Sequence, residues 1–184
     1  MLKTLITSEA RIKLLLKFFL NPNTTGYLRQ LATEFNESTN GIRVELNKLN
    51  DAKLLTSKLV GRNKVYQANE SHPLFEEIRN IVLKSTGIDK VASDILSKVG
   101  EIHLAFLRGD YAVGKDSGLI DLVIVGDQIN KKEVERVRLK TEKMIERKIS
   151  VLTLSKAELV KLKSNFQNEP FLVLVKEKNK SLAL

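Results

Sequence analysis

The sequence predicts an α+β chain in two parts. Apolar residues recur at helical spacing three times before position 50. Two short runs of strand formers follow, separated by Gly61-Arg62-Asn63. Beyond Gly87, strand patterns alternate with helical ones. The boundary falls at Gly87, giving a first domain of residues 1–87 and a second of residues 88–184.

The first helix spans Ser8 to Leu20. Ile12, Leu15, Leu16 and Phe19 form its apolar face. Leu14 and Phe18 widen the stripe to two sides, as expected at a dimer contact. Asn21-Pro22-Asn23 ends it. Tyr27 belongs to a very short strand, and Leu28, Leu31, Ala32 and Phe35 mark a second helix. Ser38 is a good N-cap for a third helix, whose inner face is Ile42, Leu46 and Leu49. Leu54 to Val60 and Lys64 to Ala68 form a β-hairpin. A connecting helix, Leu74 to Lys84, turns Leu74, Phe75, Ile78, Ile81 and Val82 to one side.

In the second domain Ile88 to Val99 is helical, with Val91, Ile95 and Val99 at a spacing of four. Ile102, Leu104 and Phe106 alternate as a strand. Leu119 to Val125 is an apolar strand. Lys131 to Lys148 is a charged helix whose seam is Val134, Val137, Ile145 and Ile149; its mixed signs argue against a DNA surface. Ile149 to Leu154 and Phe171 to Val175 complete the strands.

Composition narrows the function. The 184 residues carry 31 Lys and Arg against 22 Asp and Glu, a formal charge of +9. Such a charge favours polyanions and gives salt-sensitive binding. The absence of tryptophan and the 5% aromatic content disfavour base stacking on single strands. With no cysteine, disulfides and cysteine-bound zinc are excluded. That composition, with no signal-peptide pattern at Met1-Leu2-Lys3-Thr4 and no long apolar run, leads to a cytoplasmic expectation with no membrane partner.

Helix, helix, turn, helix, hairpin is the order of a winged helix-turn-helix. The third helix should point Thr39, Asn40, Arg43, Asn47 and Lys48 into a major groove. Arg and Asn have the two-point geometry that guanine and adenine edges require. The Ser38 hydroxyl at the helix N-terminus suits a phosphate. Lys58, Arg62 and Lys64 at the hairpin tip suit further phosphates. The expected partner is double-stranded DNA, bound by a homodimer.

Tyr27 to Ala32, Ser38 to Leu49, Gly61 to Asn69 and His72 to Phe75 make this half similar to the ArsR/MarR-type winged-helix regulators. The nearest subgroup places that module before a polymerase-β-like, minimal-type nucleotidyltransferase domain. The chain departs from it at Lys53, where a glycine usually follows the recognition helix; a lysine there is strained if φ is positive.

In the second domain the resemblance implies a glycine-serine phosphate cradle and three carboxylates holding two Mg²⁺ ions. Gly109 matches the glycine and Asp121 the second aspartate. Asp110 stands where the serine belongs, Leu119 where the first aspartate belongs, and Ser150 where a third carboxylate belongs. Gly109, Asp110, Lys115 and Asp121 are therefore the remnant of a nucleotide site, with no catalytic residue and no metal ligand set. Lys115 and Arg108 are cations that could hold an anion, or ordinary surface charges. Asp116 and Asp127 fit turns, His72 a turn or cap, and His103 a satisfied neutral side chain.

The expectation is a DNA-binding transcriptional regulator, not an enzyme. Its second domain would be a sensor or scaffold for a nucleotide or protein ligand. No cofactor is expected, and Mg²⁺ only if the site is active. Two alternatives stay open: an active nucleotidyltransferase targeted by its winged helix, and a protein-protein interaction module.

Overall fold

The computed structural model describes residues 2–166 and 169–176. Residues 1, 167–168 and 177–184, and with them the expected second domain's last residues, lie outside the description. The chain is mixed α and β and divides into two compact units, Met1–Ser85 and Thr86–Leu184.

The first unit opens with α1 (Leu2–Leu5), which the sequence reading did not include, and α2 (Glu9–Leu20). The Ser8 hydroxyl accepts from the Arg11 amide at 3.2 Å and starts α2. Ile12, Leu14, Leu15, Phe18, Phe19 and Leu20 are all buried within the single chain. The wide stripe expected at a dimer contact is therefore already covered, because a helix apolar on two sides is filled by its own fold first. Three ion pairs tie α2 to the segments after it: Arg11 to Glu45, Lys13 to Glu37 and Lys17 to Glu34, each at 2.7 Å.

Next come β1 (Thr25–Tyr27), α3 (Leu28–Phe35) and α4 (Thr39–Asp51). Both helices end in the same way. After α3, Asn36 adopts φ 52°, and the amides of Asn36 and Glu37 bond back to the Thr33 and Ala32 carbonyls. After α4, Lys53 adopts φ 59°, and the amides of Lys53 and Leu54 bond to the Asn50 and Leu49 carbonyls. This is the Schellman arrangement, in which the left-handed position favours glycine or asparagine. Lys53 occupies it with a full side chain, so the condition for strain stated from the sequence, a positive φ, is met.

The hairpin joins β2 (Leu55–Val60) to β3 (Asn63–Ala68). Val60 pairs with Asn63, so the loop is Gly61-Arg62 alone and Asn63 belongs to the strand. Gly61 takes φ 60°, and the positive φ at the first of two loop residues is that of a II′ turn. The short strand β1 adds to β3, giving a three-stranded sheet in the order β1-β3-β2. The helix α5 (Phe75–Thr86) follows. It buries Phe75 and Val82, and Phe75 stacks on Phe19 with centroids 5.5 Å apart. Leu74 lies before the helix at 55% exposure and Ile81 is 44% exposed, so neither joins the inward stripe assigned to it.

The second unit begins at Thr86, and Gly87 ends α5 with φ 81°. A short turn, α6 (Ile88–Lys90), runs into a π-helical segment, Val91–Leu96. Val99 is buried but lies beyond the helix, so the expected helix to Val99 stops short. A four-stranded sheet follows in the order β6-β5-β4-β7, from β4 (Glu101–Arg108), β5 (Leu119–Asp127), β6 (Lys148–Leu154) and β7 (Phe171–Lys176). Among the described strands only β5 and β6 run parallel. Every residue from His103 to Leu107 is buried, since β4 is central and the sheet is covered on both faces.

Between β5 and β6 lies α7 (Lys131–Ile145). It ends earlier than expected, at Glu146 in a left-handed conformation, and Ile149 is a strand residue rather than part of the helical seam. After β6 comes α8 (Lys156–Phe166), which the sequence reading left out. Its signal was present. Ser155 and Glu158 form a reciprocal capping box, with the Ser155 amide donating to Glu158 Oε2 at 2.8 Å and the Glu158 amide to Ser155 Oγ at 3.3 Å. Leu159 and Phe166 bury against Phe106, Val123, Val125 and Leu154.

Candidate functional site

Burial of Ile42, Leu46 and Leu49 decides what α4 shows to solvent. With that stripe inward, the helical period turns Asn40, Arg43, Val44 and Asn47 outward. All four are exposed, as is Thr39 in the first turn. Arg43 makes no ion pair among the described residues. Ser38 begins the helix, its hydroxyl accepting from the Gly41 amide at 3.0 Å. Lys48 is exposed too and sits four residues after Val44. It lies next to Glu45, with its Nζ 3.6 Å from that carboxylate. Glu45 is held below the ordinary carboxylate value: burial pushes it up, but the Arg11 guanidinium and the charge of Lys48 outweigh that. Lys48 is thus partly neutralised where the sequence placed it among the groove-facing residues. Val44 is the residue of this face that the sequence reading passed over; its place opposite Ile42, Leu46 and Leu49 was the available signal.

The hairpin carries its three cations in three directions. Arg62 sits in the loop itself. Lys58 pairs with Val65 and Lys64 with Leu59, and cross-strand partners share a face. Lys58 and Lys64 are one register step apart in parity, so they occupy opposite faces. The Lys64 ammonium lies 5.2 Å from the Tyr66 ring centre. The tip is therefore a single cation flanked on two sides, not one flat basic patch.

In the second unit, β4 and β5 bring Arg108 opposite Asp121. The Arg108 Nε–H donates to Asp121 Oδ2 at 2.7 Å. The other carboxylate oxygen is buried without a hydrogen-bond partner. Asp121 also pairs in register with Ser150 on β6, so a serine stands on the neighbouring strand where a third carboxylate was expected. Gly109 opens a 3₁₀ turn, Gly109–Val113, with φ 68°. Asp110 on this turn lies 3.6 Å from the Lys115 ammonium. Asp121 and Asp110 are thus each held in an ion pair, Arg108–Asp121 and Asp110–Lys115. No group of three acidic, histidine or cysteine side chains fit for a metal exists among the described residues. Hard divalent cations need several oxygen ligands, and this donor set does not fit one.

Asp116 does more than form a turn. It accepts the Gly118 amide at 3.4 Å, as a turn residue should. It also accepts the Tyr111 hydroxyl and two bonds from Arg147, Nε at 3.0 Å and Nη2 at 2.5 Å. Burial pushes its carboxyl up, yet Arg147 and Tyr111 overcome this and hold it below the ordinary value. Burial, then the bond to Asp116, pushes the Tyr111 hydroxyl well above its usual range. This trio anchors the loop after the 3₁₀ turn. His103 is satisfied: its Nε2 lies 3.0 Å from Asp127, which closes β5 and also approaches Lys156 at 3.7 Å. His72 caps a turn, its Nδ1 accepting from the Leu74 amide at 3.1 Å.

No protein-family model matches the chain, and no curated protein matches it. Among solved structures, the chain is similar to AF1382 from Archaeoglobus fulgidus at 17% identity and a TM-score of 0.36, over 48% of this chain and 92% of that one. It is also similar to TrmBL2, described as an archaeal chromatin protein with a novel mode of DNA binding, at 14% identity and a TM-score of 0.25. That match covers 76% of this chain and 63% of the other. At these values neither likeness assigns a family or a function. No described helix is long and apolar enough to cross a membrane.

Proposed function

We propose that the first unit is a winged helix-turn-helix of ArsR/MarR type and that the chain is a transcriptional regulator binding double-stranded DNA. The observation that carries this reading is the solvent face of α4, where Asn40, Arg43 and Asn47 stand exposed behind the Ser38 cap. A helix of this kind enters the major groove, while Arg62 at the hairpin tip meets backbone phosphate. The formal charge of +9 supports the same partner. A homodimer would set two such helices about 34 Å apart along the duplex. The exposed Leu74 and Ile81 around α5 are its proposed contact.

The second unit is proposed as a nucleotidyltransferase-like sensor or scaffold without turnover. The support is that the carboxylate matching the family's second aspartate, Asp121, is engaged by Arg108. The deciding experiment is titration of the full chain against random and selected duplexes at several salt concentrations. A steep salt slope with sequence preference is expected. A protein that ignores duplex DNA at moderate salt would instead be a protein-protein module.

A further inference from the structure

One side chain on the outer face of α4 is apolar. Val44 is 43% exposed, and it sits four residues after Asn40 and three before Asn47. Residues at those spacings are neighbours on one helix face. Folding gives little reason for a valine there: it lies opposite the Ile42, Leu46 and Leu49 stripe, and a β-branched residue is a poorer helix former than alanine. Major grooves offer one apolar group, the C5-methyl of thymine, and asparagine has the two-point geometry for the adenine edge.

We infer that Val44 is a specificity-determining residue that packs on a thymine methyl, so that the helix recognises a core containing A·T pairs, with Asn40 or Asn47 on adenine. This rests on the duplex reading above and names what that face selects. The same chemistry favours DNA over duplex RNA, because uracil lacks the methyl and the A-form major groove is too narrow to read.

The test uses the full chain and a duplex selected by it from a random pool. Each thymine is replaced in turn by deoxyuridine, which removes only the methyl, and affinity is followed by fluorescence anisotropy. Wild-type protein should lose about three- to five-fold at one thymine per half-site, the order expected for one buried methyl. Val44→Ala should bind thymine and deoxyuridine there equally, and Val44→Ile should keep the discrimination. Neither variant should lose thermal stability, since the position is outside the core and alanine is the better helix former. If selected DNA is bound tightly yet no thymine matters, or Val44→Ala stays fully sensitive, the inference falls and duplex binding stands. If no sequence is enriched at all, the proposed function falls with it.

Discussion

Lys53 shows how a single backbone angle reaches the stability of the unit. A non-glycine residue at φ 59° costs on the order of 1 kcal/mol, and Lys53→Gly removes that cost while leaving the Schellman bonds intact. Urea unfolding of Lys53→Gly should show a gain of about 1 kcal/mol. Asp116 is the opposite case. Asp116→Asn leaves the half-buried Arg147 without its two-point partner and should cost about 2 kcal/mol near neutral pH. Because the folded carboxyl titrates below its ordinary value of 3.8, its contribution is complete above that value and fades as pH falls through the folded one. The gap between wild type and Asp116→Asn should therefore narrow below about pH 4. Tyr111 has the reverse sign. Its raised hydroxyl contributes below its ordinary value of 10.0, and that contribution is lost as pH rises further. At the proposed interface, Arg62→Ala should flatten the salt slope by about one unit, and Arg43→Ala should relax sequence preference; both are read from binding isotherms at several salt concentrations.

Elements depend on their ends. Ser38→Ala removes the acceptor that Gly41 uses and should cost about 1 kcal/mol by thermal unfolding, with weaker DNA binding because the cap lies where a phosphate would sit. Gly87 is both a stop signal and a point of close approach. A Cβ there would come within 2.8 Å of the Ile145 Cβ. Gly87→Ala should unsettle the second unit, measured as lost protection of its β5 amides from exchange. Elements also explain where sequence patterns misled. Alternation marked Ile102, Leu104 and Phe106 as a strand but not His103, Ala105 and Leu107, which are buried because β4 is central and covered on both faces. The charged helix seemed to continue to Lys148 because Ile149 fits a spacing of four from Ile145; Glu146 turns left-handed and gives Ile149 to β6. The helix α8 was missed although Ser155 and Glu158 carry a readable capping box.

At the scale of the whole chain, the two units make separable predictions. Purified protein given labelled ATP or CTP with Mg²⁺ or Mn²⁺ should transfer no label. Transfer that disappears in Asp121→Ala would overturn the proposal of a unit without turnover. Sedimentation should show a dimer that Ile81→Glu weakens, given the exposure of that residue on α5.

The sequence by itself determined the order of elements from α2 to α5, the Ser38 cap and the inner stripe of α4. Each of these is local, set by residues within a turn or two of one another. Tertiary structure decided the rest. It split Lys58 from Lys64 across the hairpin, covered α2 on both sides, and set Arg108 against Asp121 from the next strand. Such pairings depend on which elements become neighbours, and that follows from how apolar faces are shared out across the fold, not from spacing along the chain.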